Sequence, residues 1–331
     1  MRSHLAVLAL AVTACRAAPR PVILSTDLGT DVDDAYALVL AANSPEVDLR
    51  AVVTLHGKPG VRAAIARKLV RLMGKPGVAV GAGSATTLEG RRTGWGGWEG
   101  KGFLNEEELA DPAPSPGGAD LIAEVISNSR EKVILVAVGP LTDVAQVLER
   151  GPELRSKIER LVLMGGSVRP ITVDGVVVRE SLETNFHSDV AAAAAVLRSG
   201  IPITLAPADV TFLTKLLPED FERLRASDAL LARGLVAMTL DWGPRQRAAM
   251  KKLGVTTYYD DTHAMLHDPL AVATLVDPSV ATLKRVRIRV EAEPGRIRTV
   301  PDPQGPIELD VVVDCDFRRL SKLVADRALV T

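Results

Sequence analysis

From residue 21 to residue 206, short apolar runs alternate with longer segments of helical period. Strands are expected at Pro21–Ser25, Leu49–Leu55, Val78–Gly81, Val133–Val138, Ile158–Met164 and Ile203–Ala206. Between them lie helices at Asp33–Ala42, Val61–Met73, Ala119–Ser127, Leu141–Glu149 and Asp189–Ser199. In the first helix Ala35, Leu38, Val39 and Ala42 share one face. Strands that alternate with helices predict βαβ units. The fold class expected is therefore α/β, with an open, mostly parallel central sheet flanked by helices. Sites in such sheets lie beyond the carboxyl ends of the strands. The C-terminal third departs from the pattern. Residues 219–250 read as mostly helical. Leu283–Ala292 and Ile307–Asp314 read as antiparallel strands joined by a turn region at 294–306, a small C-terminal addition. Residues 21–331 show no repeat and no linker, so one domain is expected.

The chain has 331 residues, 47% hydrophobic, enough to bury a large core. Its net charge of −1 offers no basic field for nucleic acid. Cys15 and Cys315 have neither metal-ligand spacing nor the numbers of a disulfide framework. Arg2 and His4 precede an apolar run, Leu5–Ala14, too short to span a membrane. The run ends in Val12-Thr13-Ala14-Cys15, which resembles a bacterial lipobox. Residues 1–20 are thus expected to be an export signal. Cys15 would be lipidated and anchor the chain to a membrane, or cleavage would fall near Ala17 or Ala18. The expected location is the bacterial envelope, periplasmic or lipid-anchored, or the cytoplasm if the start is mis-assigned. Cys315 would then be a single thiol buried in its strand. The stretch Glu89–Pro116 is rich in Gly, Pro and acids and carries Trp95 and Trp98. A loop of that length is usually functional or disordered.

Asp27, Asp31, Asp33 and Asp34 crowd into STDLGTDVDD, straight after the first strand, with Gly29 to make the turn. One or two acids at a helix N-terminus are ordinary capping residues. Four acids within eight residues repel one another unless a cation intervenes. Oxygen-rich sites of this kind suit calcium or magnesium. Phosphatases of the haloacid dehalogenase type also begin with a strand and two acids, but need the second acid two residues after the first. Here that residue is Gly29.

Six segments together resemble the nucleoside hydrolase family, the inosine–uridine preferring N-ribohydrolases. They are STDLGTDVDDAYAL, VAVGPLTDVAQVL, LVLMGGSV, LETNFHSDVAAAA, PADVT and LHDPLAVA, in the family's order between about residues 21 and 275. The resemblance implies hydrolysis of ribonucleosides to base and ribose. It implies one Ca²⁺ held by Asp27, Asp34, Asp268 and the carbonyl of Val138. Asp27 would be the general base toward a water activated by that ion, and His267 the acid toward the leaving base. Asp33 would hold the ribose 2′-hydroxyl, and Glu183 and Asn185 the other hydroxyls. Asp268 would line the sugar pocket as well as the metal. A nucleoside substrate and a homo-oligomer are further implications. Trp242, Tyr258, Tyr259 and His263 are candidates to cover the base, with Trp95 and Trp98 behind them. Asp189 reads as a cap or a buried structural acid.

The chain also departs from the family's pattern. Ser25 stands where an acid is common. Asp31 lies in a longer turn. Lys58 replaces an Asn expected after the second strand and is a candidate partner for Asp31 or Asp33. Val176 to Val178 occupy the region of another expected Asn. Two further functions therefore stay open: a metal-binding exported protein that has lost turnover, and a hydrolase of another ribosyl or glycosyl compound.

Overall fold

A computed structural model describes residues 18–110, 112–173, 175–252 and 264–330. The first part runs β1 (Arg20–Thr26), α1 (Asp33–Ala42), β2 (Val47–Thr54), α2 (Pro59–Leu72) and β3 (Ala79–Ala82). Next come α3 (Glu106–Ala110), α4 (Gly118–Asn128), β4 (Val133–Ala137), α5 (Thr142–Glu149), α6 (Pro152–Ser156) and β5 (Ile158–Met164). A hairpin of β6 (Thr172–Val173) and β7 (Val176–Val177) leads to α7 (Thr184–Ser188), α8 (Val190–Leu197) and β8 (Ile203–Ala206). Then follow α9 (Ala208–Thr211), α10 (Pro218–Arg225), α11 (Leu230–Lys252) and α12 (His267–Val276). The last elements are β9 (Ala281–Glu293), β10 (Arg296–Pro301), β11 (Ile307–Cys315) and α13 (Phe317–Ala328). Cys15, Tyr258, Tyr259 and His263, singled out from the sequence, lie outside the described residues.

The main sheet has the order β10-β9-β11-β8-β5-β4-β1-β2-β3. Its middle is parallel because each crossover carries a helix. Side chains alternate across β1: Val22 and Leu24 join one core layer, Ile23 the other. Helices α1, α2, α12 and α13 cover the first layer, and α4, α5 and α8 the second. Burial on both faces explains why β4 reads VILVA without polar alternation. The chain moves outward from β1 to β2 and β3, then returns to the other side of β1 with β4. The carboxyl ends of β1 and β4 therefore flank a topological switch point, where open α/β sheets bind ligands.

The C-terminal strands differ from expectation in two ways. The region 294–306 is not only a turn: it contains β10, paired with β9 from Arg296↔Glu293 to Pro301↔Ile288. Its RIRTVP alternates, with Ile297 and Thr299 facing inward, and the turn shrinks to the few residues around Gly295. The antiparallel addition also continues the main sheet, because β11 pairs parallel with β8. α12 and α13 are additional to the expected elements. α12 is buried along most of its length, so its HDPLAVATLV carries no polar stripe to betray the helical period. Cys315 ends β11 half-buried rather than buried, and burial pushes its thiol up to about 12.

Candidate active site

The switch point gathers acids from three places in the chain. Asp27 leaves the end of β1, and the turn that follows needs Gly29 at φ +108°. Asp33 and Asp34 open α1, and Asp268 lies in the first turn of α12. Two helix N-termini thus face the acids with their partial positive ends. The Asp268 N–H donates to Asp33 Oδ2 at 3.2 Å, across 235 positions of sequence. Carboxylate oxygens of Asp33, Asp34 and Asp268 lie within 4.8 Å of one another, and all three residues are buried. The Thr26 hydroxyl donates to Asp34. Asp27 is half-buried beside them. A Cβ on Gly139 would come within 2.7 Å of Asp27 Oδ1, so a glycine lets the end of β4 approach this closely.

Burial dominates the electrostatics. It lifts the Asp33 carboxyl to about 8, with Asp31 and Asp27 adding repulsion. Asp34 and Asp268 are held well above the carboxylate range by burial first and by their acid neighbours second. Asp27 rises to about 6, again through burial, with Arg62 opposing. Among the described residues none of Asp33, Asp34 and Asp268 has an ion-pair partner. Arg62 is the nearby buried cation, yet it braces backbone. It donates to the carbonyls of Asp27, Leu28 (2.9 Å) and His56 (3.0 Å) and to the Thr30 hydroxyl (2.8 Å). Buried acids without a counter-charge are costly. An all-oxygen set like this fits a hard divalent cation. The tight trio contains Asp33, where the sequence pointed to Asp27 as ligand, so the two expected roles overlap in space.

The opposite wall comes from β4, β5 and α7. Asn185 Nδ2 donates to the Val138 carbonyl at 2.8 Å and to the Met164 carbonyl at 3.1 Å. Glu183 caps α7 by accepting from the Phe186 N–H (2.9 Å), and its other oxygen meets His187 Nδ1 at 3.1 Å. Glu183 lies close enough to Asp27 to raise its carboxyl further. His267 Nδ1 meets the Thr211 hydroxyl at 2.9 Å, and its ring packs edge-on to Phe212. Burial lowers it to about 4, so it is neutral at pH 7.

The long turn is clamped from two sides. Trp242 is buried and donates to Asp31 Oδ1 at 2.8 Å. That contact braces the turn. Trp98 Nε1 donates to the Thr30 carbonyl at 3.0 Å, and the Thr30 hydroxyl donates to buried Glu99. The Glu89–Pro116 loop is thus tied to the acid turn. Lys58 does not pair with Asp31 or Asp33: its ammonium lies 5.5 Å from the centre of the Trp95 ring, and Arg62 packs on the same ring. The reason is reach, since Asp31 is taken by α11 and Lys58 is exposed at the start of α2.

Sequence reasoning missed Arg62, His56, Thr142 and His187. His56 lies two residues past the end of β2 at φ +63°, a strained conformation for a residue with a side chain. Its Nε2 meets the Thr142 hydroxyl at 2.8 Å, which donates to Asp189 at 2.7 Å. Asp189 also caps α8 and accepts from the Leu88 N–H. The strained His56 is therefore held by a buried network at the rim of the site. No local motif announces such a chain of contacts, because each member comes from a different element.

Known proteins can now be set beside this geometry. Residues 22–322 match the family model described as inosine-uridine preferring nucleoside hydrolase. The pyrimidine-specific ribonucleoside hydrolase RihA of Photobacterium profundum is 31% identical over 324 residues, 93% of this chain and 98% of that one. The protein of the same name from a Shewanella species is 34% identical over 279 residues, 83% of each chain. Among solved structures, the purine-preferring ribonucleoside hydrolase from Gardnerella vaginalis superposes with a TM-score of 0.76. It is 25% identical, over 94% of this chain and all of that one.

Proposed function

The chain belongs to the inosine-uridine preferring nucleoside hydrolase family, and from that premise we propose a Ca²⁺-dependent split of ribonucleosides into base and ribose. The observation that carries the reading is the buried acid cluster at the switch point, whose Asp33, Asp34 and Asp268 have no ion-pair partner among the described residues. Asp27, Asp34, Asp268 and the Val138 carbonyl would hold the ion, with Asp33 alongside. When bound, Ca²⁺ supplies a more acidic attacking water and an anchor for sugar hydroxyls.

The chain's own groups do the rest. Asp27, at the end of β1 beside the acid trio, would take the water's proton. Breaking the N-glycosidic bond builds positive charge on the ribose, and the neighbouring carboxylates stabilise it. Asp33 accepts from the 2′-hydroxyl, and Glu183 and Asn185 hold the remaining hydroxyls. His267, whose Nδ1 contacts Thr211, would be the acid toward the leaving base. The export signal, lipidated Cys15 and a homo-oligomer belong to the same reading.

Lys58 favours a second reading, in which the fold and metal remain but nucleoside turnover is lost or redirected to another glycosyl compound. The full chain incubated with a panel of nucleosides, with and without EDTA, and assayed for reducing sugar separates the two. Release that EDTA stops supports the hydrolase. No release from any nucleoside, with calcium bound, removes it.

A further inference from the structure

Arg62, near the start of α2, is one of the largest side chains that the described part of the fold buries completely. A guanidinium keeps its charge at any working pH, so burying it is costly unless its N–H groups find acceptors. The acceptors here belong to loops at the site. Nε donates to the His56 carbonyl at 3.0 Å. Nη1 donates to the carbonyls of Asp27 and Leu28, and Nη2 to the Thr30 hydroxyl at 2.8 Å. One rigid, planar group thus ties the loop after β1 to the loop after β2.

The acids of the site differ in what holds them. Asp33 and Asp34 belong to α1, where Asp33 also accepts from the Asp268 N–H and Asp34 from the Thr26 hydroxyl. Asp27 lies between β1 and α1 and belongs to neither, and Arg62 grips its carbonyl. The guanidinium is itself covered. Its Cζ lies 5.2 Å from the centre of the Trp95 ring. Gly57 permits that approach, since a Cβ there would come within 2.7 Å of Trp95 Cε3. The Glu89–Pro116 loop therefore closes over the grip on Asp27.

We propose that Arg62 is a positioning residue for the reaction: it fixes the turn that carries Asp27 so that this carboxylate is aimed at the attacking water, and Trp95 shields the grip from solvent. The inference rests on the hydrolase reading above. A base displaced by about 1 Å costs on the order of 10²-fold in rate. The ribose is assigned to Asp33, Glu183 and Asn185, which stand on other elements. The loss on disturbing Arg62 therefore falls on kcat and spares KM.

Arg62→Lys keeps the charge and loses the planar set of donors, so it separates geometry from electrostatics. With the full chain and uridine, kcat per folded molecule should fall about 10²-fold while KM stays within about twofold. Calorimetry with Ca²⁺ reads the same displacement without turnover, and affinity should weaken about tenfold, the scale for a residue that orients a ligand. Trp95→Leu, at a half-buried loop position, should lower kcat about threefold with KM unchanged. If Arg62→Lys does not fold, an unchanged kcat in Trp95→Leu overturns the role and the expected loss upholds it. In a folded Arg62→Lys, a wild-type kcat, a loss confined to KM, a lowered melting temperature alone or an unchanged Ca²⁺ affinity would each overturn it. Ca²⁺ binding that weakens in Arg62→Lys, in a chain that releases no base from any nucleoside, would uphold the positioning of Asp27 and refute the hydrolase reading alone. A wild-type chain that neither binds Ca²⁺ nor releases base would overturn both.

Discussion

Two charged regions of this molecule treat the same side chains in opposite ways. Across β9 and β11, Arg285 faces Asp310 at 3.2 Å and Glu308 at 3.8 Å, while Arg287 reaches Glu308 at 3.8 Å. Arg289 and Arg298 both reach Glu291. These groups are exposed or half-buried and paired, and surface pairs of this kind contribute little to stability. At the switch point, Asp33, Asp34 and Asp268 are buried, crowded and without an ion-pair partner among the described residues. The ladder is rich in salt bridges yet carries no inference about chemistry. The acid trio has none among the described residues and carries most of it. Unbalanced burial of charge, rather than its abundance, marks the site.

The comparison can be broken most sharply at Asp27. Asp27→Asn keeps the shape and removes the base, so kcat should fall by about 10³-fold while the circular dichroism spectrum is unchanged. A variant with full kcat would remove Asp27 from the reaction. Chelation comes next. An ion present at a hundred times its dissociation constant stabilises by about 2.7 kcal/mol. EDTA should therefore lower the melting temperature as well as stop turnover, and excess Ca²⁺ should restore both. An unchanged melting curve would show that the acids do not share a cation.

The chelated protein should also carry a pH signature. Asp27 and Asp33 have folded-state values near 6 and 8, above the ordinary 3.8. Between about pH 4 and 8 these acids, together with Asp34 and Asp268, hold more protons folded than unfolded. They outnumber buried His56 and His267, which act the other way below about pH 6.5, so stability falls as pH rises through that window. Melting temperatures measured with EDTA from pH 5 to 8 should decline, and saturating Ca²⁺ should flatten the slope. A rise with pH would contradict the burial of these acids. A smaller effect is expected from Trp242→Phe, which takes a donor from half-buried Asp31 and should destabilise by about 1 kcal/mol in urea. The smallest is on the exposed ladder, where Arg287→Gln should leave the melting temperature within measurement scatter.

Much of this was legible in the chain. Buried parallel strands advertise themselves as uninterrupted apolar runs, and β1, β4, β5 and β8 stand close to where those runs place them. The acids of STDLGTDVDD were visible because capping does not require four. Other features were hidden for physical reasons. α12 is too buried to show a polar face, and β10 sits against a Gly/Pro turn that masks its alternation. Lys58 and Asp31 seemed natural partners by charge, but a donor 211 positions away reaches Asp31 first. His187 lies inside the LETNFHSDVAAAA segment, but nothing local marked its ring as the partner of Glu183.

Sequence alone therefore determined the class of fold and the presence of an acid cluster after the first strand, because periodicity and local charge density are properties of neighbouring residues. Only the tertiary structure decided which acids meet. Asp268 joins Asp33 and Asp34 because the packing of α12 against α1 brings two helix N-termini together, and burial there turns ordinary carboxylates into a site for a cation.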